Sequence, residues 1–257
     1  MKTNILEIEN LSVDFKGRDG KVFHALKNIS LSVAEKERVS IVGESGSGKS
    51  TLLRAALMLI PHITGNIRLF GRDTNKISKA ELSALRRKCG YVPQDPYGAI
   101  PPRLSALGAV TEPAVISETA MSKTEIRKRA ESLLSEFGLI GDRILYSRAV
   151  SLSGGQRQRV EIARALMLAP HLMLCDEPTS MQDASTRMEI TDALKRRTEM
   201  SLIFVTHDLL LAAHAAERII VLKNGQICES GPAKQIMTAP QHDYTKSLIA
   251  ALPKIDI

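Results

Sequence analysis

Residues 38–51, RVSIVGESGSGKST, limit what this chain can fold into more than any other stretch. A short β-rich run feeds directly into a glycine loop, and the apolar LLRAALMLI behind it predicts a buried helix. Strand, glycine loop and helix in that order predict a parallel α/β sheet with an anion site at the strand's carboxyl end. The loop fits G-x-x-x-x-G-K-[ST] at every fixed position from Gly43 to Thr51. Gly43, Gly46 and Gly48 let the backbone N–H groups around Glu44, Ser45 and Ser47 point inward at a β-phosphate. Lys49 reaches the β- and γ-phosphates, and the Ser50 hydroxyl is placed for Mg²⁺. A glycine-rich turn that merely happens to precede a helix is the structural alternative, and the strand in front of the loop argues against it.

Two further buried runs, HLMLC and SLIFV, end in polar residues where ligands sit in open parallel sheets. The first leads into Asp176 and Glu177. Adjacent acids after an apolar strand are costly unless a cation or proton donor uses them, so Asp176 is expected at the magnesium, through water, and Glu177 as the general base for the attacking water. The second leads to His207, within reach of a γ-phosphate, and YVPQDP offers Gln94, whose amide suits both Mg²⁺ and the attacking water. Taken singly, Gln94 reads as a polar loop residue and His207 as a structural histidine. Their order, each just past a strand, raises both.

The remaining pattern supplies the frame. ILEIENLSVDF and VFHALKNISLSV alternate apolar and polar positions around GRDG and predict an antiparallel hairpin. Capping boxes at Ser78/Glu81 and Ser122/Glu125 open two helices, the first expected to run through LRRKC, and NIRLFG and CGYV read as strands. In the second helix Ile126, Ala130, Leu133, Leu134 and Phe137 share a face and Gly138 stops it. QDPYGAIPPR breaks all regularity, so about 95–151 reads as a helical insertion. RIIVLKNGQICESG predicts a hairpin at Asn224-Gly225, and YTKSLIAAL a last short helix.

At 257 residues the chain can bury a sizeable core, and 44% hydrophobic with 25% charged residues is ordinary for a globular protein. No apolar run approaches the roughly 20 residues of a membrane span, and no secretory signal is expected. Cys89, Cys175 and Cys228 are odd in number and widely spaced, which reads as reduced core thiols of a cytosolic protein. The net charge of +7 is spread along the chain with little aromatic interleaving, so no nucleic-acid partner is expected.

SLSGGQRQRVE, residues 151–161, opens a second anion-binding helix start, which a chain with one good phosphate loop does not obviously need. Glycine loop, Gln94, LSGGQ, the Asp176-Glu177 pair and His207, in this order, resemble the nucleotide-binding subunit of an ATP-binding cassette (ABC) transporter over nearly the whole chain. The C-terminal GQICESGPAKQIMTAPQHDYTKSLIAALP is similar to the ending of the oligopeptide, dipeptide and nickel importer branch.

The resemblance implies a single P-loop NTPase domain of α/β class over residues 1–257, with a RecA-like parallel-sheet core, an N-terminal antiparallel β subdomain and the helical insertion. Such subunits pair head to tail, so Ser153, Gly154, Gly155 and Gln156 are expected to contact the γ-phosphate of the ATP held by a second ATPase subunit. A simple helix cap would explain a serine there but not Gly-Gly-Gln. Phe15, with Phe23 as fallback, is expected to stack on adenine, core packing being the other reading, and Asp183 counts among the nucleotide-contacting residues. ATP and Mg²⁺ are the implied cofactors. Integral membrane permease subunits, and indirectly an extracytoplasmic solute-binding protein, are the implied partners, on the cytoplasmic face of the cell membrane. Transport of peptides, nickel or metal chelates follows. An exporter subunit, a cassette acting on ribosomes or DNA, and a non-catalytic regulator are the alternatives. Two departures from the family pattern stand out: Ser180-Met181-Gln182-Asp183 puts a glutamine where an apolar residue is expected at the dimer seam, and SRAVS precedes LSGGQ.

Overall fold

The N-terminal alternation becomes two long antiparallel strands, Asn4–Lys16 and Val22–Ala34, with Ile8 opposite Leu31 and Phe15 opposite Phe23. The computed structural model describes residues 3–17, 20–61, 63–117 and 119–252. These form two units: Ser83–Met200, and the stretches of chain on either side of it.

In the first unit, Ile63–Leu69 pairs with the other edge of Asn4–Lys16, and Arg72–Asp73 completes a four-stranded antiparallel sheet. Leu6, Ile8, Leu11, Leu26, Ile67 and Leu69 fill its buried face. The glycine-loop strand, Arg38–Val42, runs parallel to Ser201–Val205 on one side and Arg218–Lys223 on the other. Gln226–Pro232 returns antiparallel to Arg218–Lys223 through Asn224 and Gly225, both with positive φ as a two-residue hairpin turn requires. Helix Leu209–Ala215 packs Leu209 and Ala212 onto Val42, Ile219 and Val221, joined by Ile236 and Tyr244 from the C-terminal helices. Each fully buried leucine or isoleucine here contributes about 1.5–3 kcal/mol.

In the second unit, Cys89–Val92 runs parallel to Leu172–Asp176, whose five residues are all buried. Between them in sequence lie Pro96–Ala99, Ala106–Ile116, Lys123–Glu136, Asp142–Leu145 and Gly154–Leu166, all helical, and Ala184–Lys195 follows. The Ser122/Glu125 capping box forms, with the Glu125 N–H donating to the Ser122 hydroxyl at 3.3 Å and the Ser122 N–H donating to the Glu125 carboxylate at 2.7 Å. The face predicted for this helix is the buried one, and Gly138 ends it at φ 69°.

Several sequence-based boundaries are corrected. The helix after the glycine loop spans Lys49–Ala56 and does not continue through Ile60. Met58 takes φ 53°, its N–H bonds to Ala55 and that of Leu59 to Arg54, a Schellman ending with a methionine in the left-handed place usually given to glycine. Helix Lys79–Arg86 stops short of Cys89, which begins the next strand. QDPYGAIPPR is not wholly irregular, because Asp95 caps the single turn Pro96–Ala99 by accepting the Tyr97 N–H at 2.9 Å. Of the three free cysteines only Cys175 is fully buried; Cys89 and Cys228 are half-buried. Among the described residues no helix is long and apolar enough to cross a membrane.

Candidate functional site

The glycine loop, Phe15 and His207 belong to the first unit, and Gln94, Ser153–Gln156, Asp176, Glu177 and Asp183 to the second. At the carboxyl end of Arg38–Val42 the chain enters Gly43 at φ 154°, and a Cβ there would lie 2.1 Å from the Leu222 carbonyl oxygen. Only glycine fits that approach. Gly46 and Gly48 also have positive φ, and Gly48 serves as N-cap of Lys49–Ala56 with no side chain capping the helix. Lys49 is 6% exposed, its ammonium donating to the carbonyls of Gly43 at 2.7 Å and Glu44 at 2.8 Å. The Ser47 hydroxyl is buried without a hydrogen-bond partner. An uncapped helix start, a buried ammonium and an orphaned hydroxyl within one turn of chain form a donor set suited to a phosphate. Ser50 and Thr51 are half-buried, while Glu44 and Ser45 are exposed on the outer lip.

Sequence reasoning missed the brace on that lip. The Glu44 N–H donates to the Tyr244 hydroxyl at 3.0 Å across 200 residues of sequence. Tyr244 is 5% exposed with the Lys223 ammonium 4.3 Å from its ring centroid, and His242 caps its helix by accepting the Tyr244 N–H. The C-terminal motif quoted above therefore has a local structural use.

Phe15 and Phe23 are 41% and 61% exposed, so the core-packing reading of either fails. They face each other as one cross-strand pair, so both exposed rings lie on the same face of the sheet. His207 is exposed just past Ser201–Val205, followed by Asp208, which caps Leu209–Ala215 by accepting the Leu211 N–H.

In the second unit, Asp176 ends its strand at 1% exposed, a carboxylate depth that is unfavourable without a cation. Glu177 follows at φ 50°, an uncommon conformation for a residue with a Cβ and one that turns its side chain away from the strand's alternation. Gln94 is exposed directly after Cys89–Val92. Among the described residues no cluster of three or more His, Cys, Asp or Glu could hold a metal ion. The oxygen donors expected for Mg²⁺, Ser50 in the first unit and Gln94 and Asp176 in the second, are of the hard type that this ion takes beside waters and substrate phosphates.

LSGGQ forms a complete capping box. The Ser153 hydroxyl accepts the Gln156 N–H at 3.2 Å, and the Gln156 side chain accepts the Ser153 N–H at 3.0 Å. A plain helix cap thus explains the glutamine as well as the serine, contrary to the sequence reading. The glycines have a separate cause. A Cβ on Gly154 would lie 2.7 Å from the Met181 sulfur, and one on Gly155 would lie 3.0 Å from the Met181 carbonyl and from Gln182 Oε1. A side chain on either glycine would therefore force the loop after Glu177 to shift.

Gln182 is the second correction. It is 8% exposed, its amide donating to the Gly155 carbonyl at 2.8 Å and to Gln158 Oε1 at 3.2 Å, so it is turned into its own unit rather than set on a surface seam. Gln158 donates in turn to the Glu177 carbonyl at 3.0 Å, tying the LSGGQ helix to the acidic pair. Asp183 caps Ala184–Lys195, and hydrogen bonds from the Ser185 hydroxyl, the Thr186 N–H and the Thr186 hydroxyl hold its carboxyl well below the usual range.

The family description "ABC transporter" matches residues 26–180. Oligopeptide transport ATP-binding protein OppF of Escherichia coli K12 is 34% identical over 97% of this chain and 78% of its own length. A probable peptide ABC transporter ATP-binding protein of Sinorhizobium fredii is 37% identical over 100% of this chain and 74% of its own. Among solved structures, the dimeric post-hydrolysis state of the ATP-binding cassette MJ0796 bound to ADP and Pi aligns with a TM-score of 0.82 at 36% identity, covering 89% of this chain and 98% of that one. CbiO1 of Clostridium perfringens, part of the transporter complex cbiONQ, aligns at 0.77 and 27% identity over 99% and 98%. With a P-loop NTPase fold, a family match over residues 26–180 and relatives matched over nearly its whole length, this chain belongs to the ABC transporter family as a nucleotide-binding ATPase.

Proposed function

We propose that the chain is the ATP-hydrolysing subunit of an importer, working as one of two head-to-tail ATPase subunits, each of which holds ATP on its glycine loop against the partner's Ser153–Gln156. The observation that carries this reading is the presence of two helix starts built of small residues, only one of which has its own lysine. Lys49 and the loop amides bind the β- and γ-phosphates, Phe15 or Phe23 stacks on adenine, and His207 donates to the γ-phosphate. Ser50, Gln94 and Asp176 hold Mg²⁺, which when bound offsets charge on the phosphate oxygens. Glu177 takes the proton of the attacking water, and Asp183 positions the loop that frames it. ATP closes the pair; hydrolysis and phosphate release open it.

The names of the relatives support peptides as the imported solute, with nickel or metal chelates as the related class. Integral permease subunits are the direct partners, a solute-binding protein the indirect one, and the chain lies peripherally on the cytoplasmic face of the membrane. The test uses tagged Glu177→Gln, extracted in detergent with Mg²⁺ and ATP. Turnover is expected to fall by about 10²- to 10³-fold, while ATP is still bound and a closed pair is trapped with polytopic subunits. Wild-type turnover in this variant, or co-purification of ribosomal or DNA-repair proteins without a membrane subunit, sinks the reading.

A further inference from the structure

Arg157, Glu161 and Arg164 fall at i, i+4 and i+7 on the LSGGQ helix and therefore share one face. The outer two hold the segment that follows Gln94. Arg157 stacks 4.6 Å from the Tyr97 ring centroid, and Arg164 donates to the Ala99 carbonyl at 2.9 Å while pairing with Glu112 of helix Ala106–Ile116. Glu161, between them, is 3% exposed, and neither of its carboxyl oxygens has a hydrogen-bond partner. It lines a cavity of about 180 Å³ together with Tyr91, Pro93, Ala99, Pro113 and Arg164, and the Arg164 Nε is likewise buried without a partner. A buried unpartnered acid beside a guanidinium whose bonds run elsewhere is an unfavourable arrangement that ionisation would change.

We propose that Glu161 is a positioning residue for ATP hydrolysis: as a neutral acid it leaves Arg164 to hold the segment after Gln94, and as an anion it draws Arg164 away. The proposal rests on the assignment of Gln94 to the nucleotide. The groups that face Glu161 are Arg164 from its own helix, Asp95 from the loop, and Cys89 and Tyr91 from the strand, with Glu112 competing for the same guanidinium. Burial pushes the carboxyl up to about 8; Arg164 opposes this and Asp95 adds to it. Loss of that proton to solvent leaves the Ala99 carbonyl without its donor and releases the loop that begins at Gln94.

The experiment measures ATP hydrolysis by the full chain between about pH 6.5 and pH 9.5, in the wild type and in the isosteric Glu161→Gln, with Gln94→Ala alongside. The wild-type kcat is expected to fall about fivefold or more along an alkaline limb centred near 8, with KM for ATP changing less than about twofold, and Glu161→Gln is expected to lack the limb. Thermal melting gives a second readout. Because the folded-state value is raised above the ordinary 4.5, stability from this group is full below 4.5 and is lost as pH rises to about 8, so the Tm of the wild type should drop relative to Glu161→Gln across that window. An identical alkaline limb in both proteins, or a change confined to KM, overturns the role of Glu161 alone. Hydrolysis indifferent to Gln94→Ala overturns the assignment beneath it.

Discussion

The glycine loop and LSGGQ both open a helix with small residues, yet the two starts are closed in opposite ways. At the first, Gly48 caps nothing with a side chain, Ser47 keeps an orphaned hydroxyl, and the Lys49 ammonium is buried against the loop's own carbonyls. At the second, Ser153 and Gln156 satisfy each other across the first turn. The first leaves its helix start without a side-chain cap and one hydroxyl unsatisfied. The second already has its cap in place, and a phosphate arriving there competes with Gln156 for the same donors. On the proposed function, tight binding would therefore belong to the loop, and conditional binding, which can be made and broken in a cycle, to LSGGQ.

That difference can be broken most severely at Lys49. Lys49→Ala is expected to lower ATP turnover by about 10³-fold or more in a phosphate-release assay, because no other side chain of the loop supplies a cation to the β- and γ-oxygens. Next comes Gly155→Ala, whose methyl must displace Gln182 or the Met181 carbonyl. Turnover should fall about 10- to 100-fold while nucleotide affinity of the single subunit stays within about twofold; a loss of affinity there would erase the distinction. Ser153→Ala removes one capping acceptor and should cost about 1 kcal/mol, seen as a Tm lower by about 2–4 °C. A turnover loss larger than that destabilisation would show that the hydroxyl serves the phosphate as well as the helix. The smallest effect is expected at Asp183→Asn. Its depressed carboxyl stabilises the fold above the ordinary value of 3.8 and loses that contribution as pH falls below it, so the melting difference between variant and wild type should vanish in acid.

Local chemistry made much of this legible in the sequence. Strands, glycine loop, acidic pair and two capping boxes announce themselves within a few residues of chain. Elements without a period were lost: Ala106–Ile116 is apolar nearly all round and carries Pro113 inside it, and Pro96–Ala99 and Asp142–Leu145 are each a single turn. Long-range contacts were lost for a different reason. Nothing near Gln182 says that it turns inward to Gly155, and nothing near Glu161 in a basic helical run says that it is buried. The Gln156 side chain misled by having two uses at once, one of which is complete within its own helix.

The hydroxyl of Tyr244 on the Glu44 amide joins the end of the described chain to the mouth of the phosphate loop. The helix Asp243–Ala250 is thereby braced against the glycine loop. On the proposed function, a handle that strains this helix would strain the loop proposed to hold the fuel, so where an experimenter attaches one is itself a choice about catalysis.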